Sequence, residues 1–176
     1  MSQRRVLATR NIYRGRVLDV EVDRVIEPSG QEVEREVIRH RGAAVILAVT
    51  AGGNVLFVRQ YRHAVSETLM EVPAGTLDPG ESPEETARRE LVEETGFYPG
   101  HLEKLAEFYP SPGVLEERMH LYFATDLERG SPLPDEDESL EILEMPLDEA
   151  LALKAGADVR DAKTILALFF LRMRTS

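Results

Sequence analysis

GESPEETARRELVEETG, residues 80–96, sets six glutamates against two arginines inside a segment punctuated as a helix. Ser82, followed by Pro83 and then by Glu85 three positions after the serine, is a capping box with proline at the first helical position. Gly96 supplies the stop. Between those signals the charges divide into two sets. Glu84 stands four residues before Arg88 and Glu85 four before Arg89, acid first and near the positive helix N-terminus, so both pairs read as ordinary helix stabilisation. Glu90, Glu93 and Glu94 instead share a face at the negative end. Arg89 reaches Glu93, but neither Glu90 nor Glu94 has a basic residue three or four positions away. Like charges at this spacing cost an isolated helix roughly 0.2–0.5 kcal/mol per pair, a repulsion that a divalent cation would turn into coordination. Oxygen ligands with no His or Cys nearby select Mg2+ or Mn2+ over zinc.

The chain around this helix has 176 residues, no cysteine and a net charge of −11. That length suits one globular domain with at most a small appended element. A disulfide scaffold is excluded, and a cysteine-free chain fits a reducing compartment. The N-terminus MSQRRVLATRNIYRG lacks the apolar segment of a secretory signal, so a cytoplasmic protein is expected. The longest apolar run, ILALFFL at 165–171, falls far short of the roughly 20 residues of a membrane span. The acidic balance argues against nucleic acid as a partner, and a phosphorylated ligand would need some other source of attraction.

Gly and Pro punctuation sets the remaining elements. Val17–Val25 alternates Leu18, Val20 and Val22 with Asp19, Glu21 and Asp23, the period of a half-buried strand. After the turn EPSGQ, EVEREVIRH (32–40) suggests a second. This antiparallel hairpin region, residues 1–41, has little core of its own and is expected to pack on the main domain or on a second subunit. The main domain, residues 42–176, opens with GAAVILAV, the turn TAGGN and VLFVRQYR, together read as a hairpin. Further strands are expected at 69–72, 102–109, 120–124 and 140–144. Two more helices are expected, LDEALALKAG (147–156) and DAKTILALFFLRMR (161–174), the second capped by Asp161. Strands interrupted by helices imply an α/β, or α+β, fold with a mixed sheet covered by helices. The histidines His40, His63, His101 and His120 show no ligand spacing.

Gly75, five residues, Glu81, seven residues, then Arg89-Glu90-Leu91-Val92-Glu93-Glu94-Thr95-Gly96-Phe97 resembles the Nudix box with every fixed position filled. The box covers 23 residues, and the flanking pattern extends the similarity over most of 42–176. The resemblance implies an α/β/α sandwich with a mixed sheet, and hydrolysis of a nucleoside diphosphate linked to another group. By position it implies Glu90 and Glu94 as the principal metal ligands, and Glu93 as a further ligand or the site of a bridging water. The carbonyl of Ala74 would be a backbone ligand and Glu81 a supporting one. Arg89 would orient the helix glutamates by ion pairing.

YPSPGVLEER, residues 109–118, narrows the substrate. Pro112 stands 16 residues after Gly96, and its Ser-Pro-Gly followed by Glu117 is similar to the signature of the ADP-ribose pyrophosphatases. That similarity implies Mg2+-dependent cleavage of ADP-ribose into AMP and ribose 5-phosphate, with Pro112 and Gly113 at the substrate and Glu117 near the pyrophosphate through metal. In the similar enzymes a loop glutamate assists the attacking water as general base. Within PLPDEDESLEILEMP (132–146) Glu136 matches best, with Glu138 as the alternative. Arg62 matches a phosphate-contacting arginine, ahead of Arg59 and Arg41. The resemblance also implies a homodimer in which residues 1–41 lend residues to the adenine pocket, Tyr13 and Arg35 being candidates. Competing readings are another nucleoside diphosphate sugar or a dinucleotide as substrate, and a sensor that binds ADP-ribose without cleaving it. Such sensors usually lose one or more box glutamates, whereas this chain has all of them. An RNA-processing pyrophosphatase would want a basic surface.

Overall fold

The computed structural model describes residues 4–130 and 140–175. They group into two compact units, Met1–Gly42 with Tyr109–Arg118, and Ala43–Phe108 with Met119–Ser176.

The first unit is built on a three-stranded antiparallel sheet, β1 (Arg5–Arg14), β2 (Leu18–Ile26) and β3 (Glu32–His40), in that order. The β2–β3 ladder runs unbroken from Leu18 opposite His40 to Ile26 opposite Glu32, as the alternation of apolar and acidic residues in β2 anticipates. Strand β1 was not expected from the sequence. Its RVLATRNIYR is exposed along almost its whole length, so no apolar period marks it. Its place is set by pairing with β2 through a ladder with two irregularities and by the Thr9 hydroxyl, which donates to Asp23 at 2.5 Å. An edge strand carrying Arg5, Arg10 and Arg14 resists pairing with stray strands. The 109–118 segment joins this unit where the Ile38 N–H donates to the Val114 carbonyl (2.8 Å) and the Glu116 N–H to the Ile38 carbonyl (2.9 Å).

The second unit contains β4 (Ala43–Ala48), β5 (Asn54–Arg62), β6 (Glu67–Glu71), β7 (Ala74–Thr76), α1 (Pro83–Thr95), β8 (Phe97–Phe108), β9 (Met119–Arg129), β10 (Leu140–Pro146), α2 (Leu147–Ala152) and α3 (Ala162–Thr175). One sheet has the order β7-β4-β9-β8 and a second β10-β5-β6. Because β4 runs parallel to β9 and antiparallel to β7, the larger sheet is mixed.

The expected hairpin of β4 and β5 does not form. The two strands meet only at an isolated bridge between Val49 and Val55 and then part into different sheets. The reason lies in β4, all six residues of which are buried. Ala44, Ile46 and Ala48 pack with Ala87 and Leu91 of α1, whereas Val45 and Leu47 pack with Ala167, Leu168 and Leu171 of α3. A strand covered on both faces reads as a continuous apolar run and belongs in the middle of a sheet. Helices on the two faces of β4 give the α/β/α layering, and α1 is thereby seated against the short strand β7 that carries Ala74 and Gly75.

Candidate functional site

Helix α1 begins as its sequence dictates. The Ser82 side chain accepts from the Glu85 N–H, the Glu85 carboxylate accepts from the Ser82 N–H, Pro83 follows the cap, and Gly96 closes the helix at φ 74°. Arg88 pairs with Glu84 at 3.0 Å, as the i,i+4 spacing suggests. The parallel expectation for Glu85 and Arg89 is overturned. Glu85 is engaged by the capping box, and Arg89 turns to other partners.

Those partners correct the reading of the helix face. Arg89 Nη1 donates to Glu90 Oε1 at 2.7 Å and to Glu93 Oε2 at 2.8 Å. Its Nε and Nη2 donate to the two oxygens of Glu81 at 3.0 and 2.9 Å, and Nη2 also reaches the Thr76 carbonyl. One planar guanidinium thus bonds three carboxylates, a task suited to its rigid fork of donors. Glu90 is therefore paired by an adjacent residue, a neighbour that the three-and-four spacing rule does not count. Hydrogen bonds from Arg89, joined by the Thr86 hydroxyl and the Asp78 N–H, outweigh partial burial and hold the Glu81 carboxyl at about 2, well below its ordinary value. The Arg89 guanidinium is pushed further above its own already high value, first by its bonds to Glu81.

Glu94 is the most enclosed of the set, 4% exposed, and accepts from the Ala74 N–H at 3.1 Å. Beside Ala74, a Cβ added at Gly75 would land on the Glu90 carboxylate. Glycine at this position lets the helix carboxylate lie directly over the strand. Glu81, Glu90, Glu93, Glu94, Ala74 and Gly75 are all within the second unit. Among the described residues no three acidic or imidazole side chains form a ready-made cation cage, and Arg89 stands among the glutamates. The donor set nonetheless fits a hard divalent ion: it is entirely carboxylate oxygen and backbone, and Arg89 engages one oxygen each of Glu90 and Glu93 in groups that offer about four lone-pair sites apiece.

The remaining candidates are placed differently from one another. Arg62 donates through Nε (2.8 Å) and Nη2 (2.7 Å) to the two oxygens of Glu71, a residue the sequence did not single out. Arg59 faces its cross-strand partner Glu141 at 3.4 Å on an exposed surface. Arg41, Pro112, Gly113 and Glu117 belong to the first unit. There Pro112 and Gly113 line a cleft of about 500 Å³ together with Arg35, Glu36 and Val37, and Glu117 lies 3.7 Å from His40 Nδ1. The cleft joins the Ser-Pro-Gly stretch to β3, a contact between segments some 75 residues apart that local pattern does not reveal. Glu136 and Glu138 lie outside the described residues.

Comparison with known proteins follows the same lines. The model of the NUDIX domain matches residues 38–168. The ADP-ribose pyrophosphatase of Bacillus subtilis (strain 168) is 41% identical over 98% of this chain and 94% of its own length. The methanol dehydrogenase activator of Bacillus methanolicus is 38% identical, also over 98% of this chain and 94% of its own. A crystal structure described as an ADP compounds hydrolase superposes with a TM-score of 0.81 at 28% identity, covering 99% of this chain and 95% of that one. With its box residues gathered at β7 and α1 and with relatives matching almost end to end, this chain belongs to the Nudix family and is a Nudix hydrolase.

Proposed function

We propose that the protein hydrolyses ADP-ribose to AMP and ribose 5-phosphate, with Mg2+ as its preferred cation and Mn2+ as a substitute. The observation that carries this reading is the carboxylate set Glu81, Glu90 and Glu93, ordered by Arg89, together with Glu94 on the Ala74 N–H and Glu90 packed over Gly75. The near full-length similarity to an ADP-ribose pyrophosphatase supports the choice of substrate. When bound, Mg2+ supplies an activated water at neutral pH and positive charge against the diphosphate. Glu90, Glu94 and the Ala74 backbone would hold it, with Glu93 and Glu81 in support. Arg89 keeps the glutamate carboxylates oriented, and Arg62 meets the negative charge of the diphosphate. In the reaction a water oxygen bonds to one phosphorus and the bridging P–O bond breaks, releasing the two monophosphates. Glu136, with Glu138 as the alternative, is the general base that takes the water proton. Arg41, Pro112, Gly113 and Glu117 are assigned to substrate recognition, Arg59 to a lesser role there, and the first unit to a homodimer contact in a cytoplasmic enzyme.

Product analysis after incubation with ADP-ribose and Mg2+ tests this directly. AMP and ribose 5-phosphate should form and should disappear on addition of chelator. Glu94→Gln should lower turnover by at least about a hundredfold, the scale of a misplaced catalytic group. Turnover near wild type in Glu93→Gln or Glu94→Gln at saturating Mg2+ would sink the site assignment. The broader description of the superposed hydrolase, ADP compounds, favours a second reading in which other nucleoside diphosphates are cleaved as well. Ratios of kcat/KM across ADP-ribose, a GDP-sugar and a dinucleotide decide between them.

A further inference from the structure

Apart from the helix carboxylates, the second unit buries another charged group. Glu71, on β6, is 1% exposed and Lys163, in the first turn of α3, is 8% exposed. Their side chains are bonded to each other, Lys163 also pairs with Asp161 at 3.0 Å, and Glu71 takes the fork of Arg62. Burial pushes the Glu71 carboxyl up, but the bonds from Arg62 and Lys163 outweigh it and leave it below its ordinary value. Thr164, next to Lys163, accepts from the Val72 N–H at 2.9 Å. Through it the start of α3 is tied to the strand segment that leads into Ala74 and Gly75.

Stability does not account for such a cluster, since a buried ion pair is often no better than packed apolar residues of the same volume. Its geometry has a directional outcome instead. Bonding through Nε and Nη2 fixes the plane of the Arg62 guanidinium and leaves Nη1 on the side away from Glu71, while the Arg62 side chain keeps 40% of its surface exposed. The negative field at Arg62 comes first from Glu71 and includes Glu94 and Asp161, so the guanidinium stands within electrostatic reach of one of the helix carboxylates.

We infer that Glu71 and Lys163 are positioning residues for diphosphate binding: Lys163 fixes Glu71, and Glu71 holds Arg62 in the orientation that receives the substrate's phosphates. The inference rests on the proposed diphosphate hydrolysis. It assigns a part in the reaction to α3, far in sequence from the box.

The test is steady-state kinetics with ADP-ribose at saturating Mg2+ and 20 °C, with Tm measured alongside, for wild type, Lys163→Met, Lys163→Arg and the double variant Glu71→Gln/Lys163→Met. Lys163→Met should raise KM about tenfold, with kcat falling less than about threefold, because a loosened Arg62 weakens binding of the diphosphate in ground and transition states alike. Lys163→Arg should restore most of the loss. The double variant leaves no orphaned carboxylate, so it serves if Lys163→Met does not fold, and it should show the same rise. A KM within about twofold of wild type in a folded variant, whatever its Tm, overturns the positioning role and leaves the cluster purely structural. Failure of both variants to fold also counts against it. If wild type cleaves no nucleoside diphosphate, the functional reading fails first and the positioning role falls with it.

Discussion

Gly75→Ala probes the close approach on which the site depends. The new methyl would occupy the place of the Glu90 carboxylate, which is anchored to Arg89 at 2.7 Å. Carbon and oxygen at ordinary contact sit about 3.5 Å apart, so the carboxylate must move by more than about 1 Å. Forcing a methyl into a filled site costs about 1–3 kcal/mol. Restricting the unfolded chain returns about 0.4–1 kcal/mol, and the net loss should be about 1–2 kcal/mol. Misplacing a catalytic group by about 1 Å should lower kcat/KM about a hundredfold. The assay is kcat/KM for ADP-ribose at saturating Mg2+ together with urea unfolding of Gly75→Ala, Glu90→Ala and the double variant. Without the carboxylate the three atoms nearest the methyl are gone, so Gly75→Ala should cost at least about 1 kcal/mol less in the Glu90→Ala background. Additive stability losses, or a single variant within about threefold of wild-type activity, would refute the steric argument.

Arg89→Met should cost about 1–2 kcal/mol at pH 7, a figure already discounted for the solvent that reaches Glu81. Its pH dependence identifies the cause. Arg89 is the first cause, ahead of Thr86 and the Asp78 N–H, of the fall in the folded value of Glu81 from 4.5 to about 2, so the stability it confers is fully present above about 4.5 and is lost as the pH falls through 2. The gap between wild type and variant in urea unfolding should therefore shrink by about half between pH 7 and pH 3, and a gap that stays constant removes Glu81 as its source. Thr164→Val removes a buried hydroxyl that accepts from the Val72 N–H and donates to Asp161 at 2.6 Å. The orphaned amide should cost about 1–3 kcal/mol in thermal or urea unfolding; a loss under about 0.5 kcal/mol would mean that water or Asp161 replaces the bond.

The parts of this fold that were legible in the sequence are those whose signals are local. The ends of α1 are written by Ser82, Pro83, Glu85 and Gly96, and the start of α3 by Asp161, which accepts from the Thr164 N–H. Strand β2 carries its own period. Where the structure departs from expectation, the deciding neighbour is one that no local period marks. Strand β1 has no apolar face, and β4 parts from β5 because α1 and α3 cover both its sides. At the site, the expected Arg89–Glu93 pair forms, whereas Glu85 turns to Ser82 instead of Arg89. A guanidinium at the end of a long side chain reaches Glu81 in the loop and Glu90 beside it as readily as Glu93 one turn on. Glu71 escaped notice because a glutamate at the end of a short strand acquires meaning only when Arg62 and Lys163 close on it.

The charges of α1 were at first a puzzle of repulsion, and Arg89 resolves it only in part. Arg89 bonds Glu81, Glu90 and Glu93, so three carboxylates share one guanidinium beside the strand that carries Gly75. Full neutralisation by a second arginine would make the ligand-free protein more comfortable and would compete with a cation for the same oxygens. A lysine at position 89 would offer one point of charge and could not bond Glu81, Glu90 and Glu93 from a fixed plane. Arginine in that position fixes the directions of three carboxylates with one positive charge set against three negative ones. The same carboxylates would repel an acidic substrate, which makes cation binding the step that converts a repulsive surface into an attractive one. Within a chain of net charge −11, the proposed diphosphate recognition would use two arginines with separate duties, Arg89 ordering the carboxylates and Arg62 facing the phosphates.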